Sequence, residues 1–491
     1  MQRPLDSLQW DNSYSRLPAG FFERVVPAPL PDPYLVAFNR DAAELLDLDP
    51  AEATRPGFLA ALNGDRALPG TDPIAAIYAG HQFGVWVSQL GDGRAIVLGE
   101  VVNARHERWD VQLKGSGPTR FSRMGDGRAV LRSTIREYLA GEAMHALGIP
   151  TTRALAIFGS DAPIYRERTE SAAVLVRLAP THVRFGTFQL FASRGQHDAV
   201  AQLADYVIEH HFPHLLRLAV GERYAVWYAE VVDRTARMMA RWTAVGFSHG
   251  VMNTDNMSIL GLTLDYGPYG WLDGYDRGFI CNHTDEAGRY AFDQQPKVGL
   301  WNCARLGEAI LTLVTEESAL ATLDAYRRSF EEEIDLRMGA KLGFRTALSG
   351  DLALLTEFLA VLQQAHADYT RTFRALSRCT PSEPATLAPL RAEVRETDAL
   401  DAWLVKYAAR LAREGSVDAD RHRWMLGVNP KYVLRNWVAQ DVITNAEARN
   451  YDRIEEVRQL LAAPFDEHET MERYAGGPPE GTEAIVVSCS S

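Results

Sequence analysis

The rhythm of hydrophobic and polar positions changes along this chain. From about residue 80 to 185, short apolar runs broken by glycine (AIVLGEVV, WDVQLK, RALAIF, AAVLVRL) predict strands. In WDVQLK the alternation sets Trp109, Val111 and Leu113 on one face and Asp110, Gln112 and Lys114 on the other. One helix interrupts the strands: in STIREYLAGEAMHAL, Ile135, Leu139, Ala143 and Leu147 recur at steps of four, and Gly148 with Pro150 beyond it ends the pattern. After about residue 195 helical spacing takes over. ERYAVWYAEVVDRTARMMARWTAVG carries the stripe Trp227, Val231, Met238, Trp242 and Val245 before Gly246. A loop-rich stretch at 247–300 follows, and amphipathic helices then run to about 465.

The two ends lack this periodicity. Residues 1–78 are rich in Pro and turn residues (PAPLPDP, DRALPGTDP) and are expected to form an extension packed on the lobes, whereas 466–491 read as a flexible Gly/Pro-rich tail. With 491 residues, 46% of them hydrophobic, the chain exceeds one compact core, so two lobes are expected: a sheet-plus-helix lobe at 79–190 and a larger, mainly helical lobe at 191–465. The chain does not start with a basic stretch followed by an apolar run, and no apolar run has membrane-spanning length, so neither export nor a membrane is expected. Cys281, Cys303, Cys379 and Cys489 form no CxxC pair, which argues against a disulfide scaffold or zinc ribbon and fits a reducing cytoplasm.

A net charge of −13 argues against DNA, RNA or anionic lipid as a partner. Residues 91–185 nonetheless hold 14 Lys and Arg against 10 Asp and Glu, and suit an anionic ligand. Gly-Asp-Gly-Arg occurs there twice, at 91–94 and 125–128. Asp-Gly between strands is a hairpin signal, but the first copy precedes a strand and brings Arg94 beside backbone N–H groups, a combination that holds phosphate oxygens. Lys114 ends its strand, and Glu137 follows 23 residues later on the helix. A strand lysine held by a helix glutamate is how kinase folds set an ammonium against nucleotide phosphates. Thr134 and Glu137 also fit a capping box, so both roles stay open for Glu137.

The segment GFSHGVMNTDNMSILGLTLDYGPYG follows the long helix, where a kinase carries H-R-D-x-x-x-x-N and then D-F-G. Here the chain reads His249-Gly250-Val251, with Asn256 five positions after the valine and Asp265-Tyr266-Gly267 beyond. The usual base position is therefore apolar, while Asn256 and Asp265 retain the oxygen ligands that Mg²⁺ prefers. Asp255 is the nearest carboxylate to replace the base, or else a turn residue.

These blocks, with YAGHQFGVWVSQLGDGRAIVLGE, VRLAPTHVRFGTF and NPKYVLRNWVAQ, run from Tyr78 to Gln440 and resemble the selenoprotein O family of protein adenylyltransferases. The resemblance implies a two-lobed kinase-like α/β fold. It also implies AMP transfer from ATP to Ser, Thr or Tyr hydroxyls of target proteins, with the nucleotide reversed relative to ordinary kinases and pyrophosphate leaving. By the same match Gly91, Gly93, Arg94, Lys114, Asp126, Gly127, Arg177 and Arg184 contact ATP, as does Asp265, and Glu137 pairs with Lys114. Asn256 and Asp265 bind Mg²⁺ or Mn²⁺, and Asp255 accepts the proton. Eukaryotic members carry selenocysteine near the C-terminus, where this chain has Cys489. Cys281 lies 16 residues after Asp265, in the stretch that forms the activation loop of kinase folds; one reading joins Cys281 and Cys489 in a disulfide as a redox control, and the other leaves both thiols reduced, as in most cytoplasmic proteins. The rivals are an ordinary phosphotransferase, disfavoured by Val251, and an inactive nucleotide-binding scaffold, disfavoured by the Lys114, Glu137, Asn256 and Asp265 set.

Overall fold

A computed structural model describes residues 2–395, 397–482 and 485–488. One sheet is built from β1 (Phe22–Arg24), β2 (Tyr34–Phe38), β3 (Ile74–Gln82), β4 (Val85–Gly91), β5 (Ala95–Val102), β6 (Arg108–Lys114), β7 (Ala129–Val130), β8 (Arg153–Tyr165) and β9 (Thr169–Ala179). Their order is β1-β3-β5-β6-β9-β8-β2, with β4 on β3 and β7 on β9, and each pairing is antiparallel. The N-terminal segment supplies the strands at both ends of this order. FER and YLVAF are too short to show a period, and short outer strands also limit pairing with other chains.

The rest of that segment covers one face of the sheet. Leu5, Leu30, Leu46 and Phe58 share a core with Val111, Leu113, Val176 and Leu178. Helix Leu131–Ala146 lies against the other face, where Ile135, Leu139 and Ala143 are buried beside Leu175. With both faces covered, the polar side of β6 is buried too: Asp110, Gln112 and Lys114 are each less than a tenth exposed. Polar side chains there require internal partners, because water cannot solvate them.

The same core continues into helix Val220–Ala244, whose Trp227, Val231, Met238 and Trp242 are buried at the expected spacing. A second helical core gathers Phe358, Phe373, Trp403 and Tyr407. The molecule is thus a mixed α/β structure with a large sheet and many helices. Between the two helical regions a small ladder, β10 (Phe247–Ser248) with β11 (Gly270–Trp271), frames the loop that carries the candidate chemistry. Part of the expected tail is packed: Glu469–Ala475 form a helical turn whose Tyr474 is buried and stacks on Trp437 at 5.5 Å. No helix among the described residues is long and apolar enough to cross a membrane.

One close approach ties the sheet to the helical region. Helix Phe185–Ser193 meets β3 at Gly186, where an added Cβ would fall 2.1 Å from the Ala79 carbonyl oxygen and 3.3 Å from the Asp255 Cα. Gly186→Ala is therefore expected to cost about 1–3 kcal/mol of stability, since backbone must move to admit the methyl group. Chemical denaturation of the two proteins checks this; equal midpoints would contradict it.

Candidate active site

Antiparallel register between β6 and β9 puts Gln112 opposite Arg177, and Lys114 opposite Leu175. Lys114 and Arg177 thus share the face that meets helix Leu131–Ala146. Lys114 Nζ lies 2.6 Å from Glu137 Oε2, and Arg177 Nη1 lies 2.9 Å from Glu137 Oε1. Arg177 Nε also donates to Gln112 Oε1 at 3.0 Å. The capping-box alternative is absent, because the helix starts at Leu131, upstream of Thr134, and the Thr134 hydroxyl donates to the Leu131 carbonyl at 2.8 Å. Glu137 therefore sits in the second turn, with both carboxylate oxygens given to cations.

Asp265 closes this cluster from the opposite side. Its carboxylate takes Arg177 Nη1 at 2.5 Å and Lys114 Nζ at 3.3 Å, and Arg184 Nη1 bonds its other oxygen. Burial works to raise the Asp265 pKa, but Arg184, Arg177 and Lys114 together hold it well below the usual carboxylate range. Burial lowers the pKa of Lys114, and Glu137 and Asp265 oppose that shift. The backbone of Asp265 is left-handed, φ 59°, which an aspartate tolerates better than most residues. His249 supports the residue before it: its ring stacks on Trp242 at 5.1 Å, and Nε2 lies 2.9 Å from the Leu264 carbonyl oxygen.

Asp255 and Asn256 lie in the short helical turn Thr254–Asn256. Asn256 Nδ2 donates to the Val251 carbonyl at 3.0 Å, which commits the amide nitrogen and leaves its oxygen for a cation. Gln82 Nε2 donates to Asp255 Oδ2 at 3.2 Å, while Asp255 Oδ1 is buried with no hydrogen-bond partner among the described residues. Burial pushes the Asp255 pKa up to about 6. A carboxylate so placed is ionised at neutral pH yet basic enough to accept a proton.

These groups line one cavity of 540 Å³. The first Gly-Asp-Gly-Arg copy links β4 to β5 at its mouth but closes no hairpin, because both strands pair with β3 and not with each other, and the loop after β6 folds over it. A Cβ on Gly91 would lie 2.4 Å from the Phe121 ring, and one on Gly93 would lie 2.8 Å from the Phe121 carbonyl oxygen. Arg94 is exposed at the cavity. In the second copy Gly127 has φ +67° and Asp126 pairs with Arg166 at 2.8 Å. Seven Lys and Arg side chains and four Asp side chains line the cavity, an excess of cations in a chain of net charge −13. Such a surplus suits a phosphate-bearing ligand. No group of three or more His, Cys, Asp or Glu among the described residues is arranged to hold a metal ion. Asn256 and Asp265 facing the same cavity still fit a cation whose remaining ligands are phosphate oxygens and water, the usual way Mg²⁺ is bound.

Three contributors escaped the sequence reading. Gln82 holds Asp255, Gln112 orients Arg177, and buried Asp92 lies 3.6 Å from Arg184. Gln112 was readable as a same-face neighbour of Lys114, whereas Gln82 and Asp92 act across 173 and 92 residues of sequence and left no local signal. Of the proposed redox pair, Cys281 is buried, with its thiol pKa pushed up to about 12 by burial, and Cys489 lies outside the described residues.

Comparison with known proteins carries the same segments to a family. The model described as protein adenylyltransferase SelO matches residues 4–462. The protein nucleotidyltransferase YdiU of Myxococcus xanthus is 57% identical over 99% of both chains, and that of Thioalkalivibrio sulfidiphilus is 56% identical over 99% of both. The Cronobacter sakazakii protein of the same name is 49% identical over 96% of this chain and 97% of its own. Likeness of this extent, spanning the lysine strand, the glutamate helix and the Asp255–Asp265 loop together, means that the chain belongs to the SelO family of protein adenylyltransferases.

Proposed function

We propose that this protein transfers AMP from ATP to Ser, Thr or Tyr hydroxyls of other proteins in the cytoplasm, using a two-lobed kinase-like arrangement of the sheet and helical regions. The observation that carries this reading is the cluster of Lys114, Arg177 and Arg184 around Glu137 and Asp265, set in the same cavity as a half-partnered Asp255. Arg94, Lys114, Arg177 and Arg184, with the backbone of Gly91, Gly93 and Gly127 and with Asp126 at the mouth, position the triphosphate. Asn256 and Asp265 hold Mg²⁺ or Mn²⁺, which when bound neutralises phosphate charge as it develops. The acceptor oxygen attacks the α-phosphorus, the bond to the β-phosphate oxygen breaks, Asp255 takes the hydroxyl proton, and pyrophosphate leaves. Lys114 and the arginines stabilise the charge that builds on the phosphoryl oxygens.

ATP labelled at the α- or at the γ-phosphate separates this from a phosphotransferase. Protein is expected to acquire label from the α position alone; label from the γ position alone would replace the reading. A Cys281–Cys489 disulfide belongs to the same proposal as a tether between loop and tail. It is supported by the contact in which His283 N donates to the Val487 carbonyl at 2.9 Å, and burial of Cys281 means that the loop must open before it reacts.

A further inference from the structure

The turn Gln82–Gly84 between β3 and β4 is one wall of the catalytic cavity. On its inner side Gln82 meets Asp255, and Phe83 N donates to Asn253 Oδ1 and to the Tyr290 hydroxyl, both at 3.0 Å. On its outer side lies an open groove of 710 Å³ lined by Ile280, Arg289, Lys297 and Trp301. Arg289 packs against the turn so closely that a Cβ on Gly84 would lie 3.1 Å from its guanidinium carbon. Through Arg289 the groove abuts the same turn whose Gln82 and Phe83 line the cavity.

The groove combines aromatic surface with cations that no carboxylate neutralises. Trp301 carries the Arg289 guanidinium at 4.7 Å and that of Arg305 at 5.1 Å over its ring, and it meets His81 edge-on at 5.2 Å. His81 in turn contacts Trp86 at 4.9 Å, which with Val85 and Ile280 is exposed. Among the described residues neither Arg289 nor Lys297 has a carboxylate within 4.0 Å, in a chain where Asp and Glu outnumber Lys and Arg by 64 to 51. The acidic residue in the groove, Asp293, faces Arg277 at 3.6 Å. Arg289 Nε is buried without a hydrogen-bond partner among the described residues.

We infer that this groove docks the segment of a protein substrate that flanks its acceptor hydroxyl, and that it selects flanks bearing acidic side chains. The inference rests on the AMP-transfer reading. Two unneutralised cations beside desolvating aromatic rings favour carboxylates, and the turn on which Arg289 packs separates such a flank from the hydroxyl that must reach Asp255. An extended chain advances about 3.3 Å per residue, so crossing a wall one turn thick takes about three to four residues between the acidic side chain and the acceptor.

The test uses two fluorescent peptides, each with a single Tyr and with either Glu or Gln at the third and fourth positions on both sides. Anisotropy reports binding, and α-labelled ATP reports transfer. The Glu peptide is expected to exceed the Gln peptide by about ten-fold in kcat/KM, through KM, with an advantage that shrinks as salt screens it. Lys297→Glu, at an exposed position away from the nucleotide cavity, is expected to erase most of that advantage while leaving the Gln peptide within about two-fold. Trp86→Ala is expected to weaken binding of both peptides. Equal use of the two peptides by the native protein, or an equal loss with both in Lys297→Glu, overturns the docking site. If the Glu peptide binds in a salt- and Lys297-dependent way but acquires no AMP, the docking site stands and the transfer reading fails.

Discussion

Asp265→Asn is expected to lower AMP transfer by about a thousand-fold, the scale of losing a metal ligand together with the charge it contributes. The substitution keeps the size of the side chain and removes the charge that Lys114, Arg177 and Arg184 converge on. Two effects follow. The cation proposed for the triphosphate loses its carboxylate, and three buried cations keep only Glu137 and the more distant Asp92 as counter-charges. Breaking a buried ionic cluster on one side typically costs about 3–5 kcal/mol, so the variant is also expected to melt at lower temperature. Activity is therefore compared below the melting transition of both proteins, with thermal shift by ATP as a separate readout. Substantial α-phosphate transfer by a folded Asp265→Asn protein would remove Asp265 from the metal site.

Asp255→Asn is expected to separate activity from stability. Transfer falls by about 10²–10⁴-fold, the usual contribution of a positioned general base. In the native protein kcat/KM is expected to rise with pH through about 6, as the Asp255 carboxyl loses its proton, and this acid limb disappears in the variant. Stability moves the other way. The folded-state pKa lies above the ordinary aspartate value of 3.8, so the folded protein favours the protonated form. That contribution is complete below pH about 4 and is lost as pH rises through about 6, leaving a cost of about 3 kcal/mol at neutral pH. Asparagine keeps an acceptor for Gln82 and removes the charge, so the variant is expected to melt a few degrees higher than the native protein at pH 8, and no higher at pH 4. A native rate independent of pH between 5 and 7, or a variant less stable at pH 8, would contradict the role.

The two expectations differ for a structural reason. Asp265 is embedded in cations and its charge is stabilised, whereas one oxygen of Asp255 is buried without a hydrogen-bond partner among the described residues. Active sites commonly hold such a group at the expense of stability, because the unmet hydrogen bond is reserved for a reacting atom.

Local pattern by itself determined the central strands, the glutamate helix and the long helix with its tryptophan stripe. Periods of two and of 3.6 are properties of neighbouring residues, so they need no knowledge of distant contacts. The same alternation placed Lys114, Gln112 and Asp110 on one side of β6, and motif spacing picked out Asp255, Asn256 and Asp265. Tertiary structure decided the rest. The N-terminal segment became both outermost strands and the cover of one sheet face, because FER and YLVAF gain their partners from β3 and β8 and carry too few residues to show a period. Whether Glu137 capped its helix or held Lys114 depended on where the helix began, two residues before the Ser133 start that the pattern marked. The contacts around Asp255, the three cations on Asp265 and the turn that abuts both cavity and groove join residues 81 to 207 positions apart, and such charge and burial exist only once the chain has closed around them.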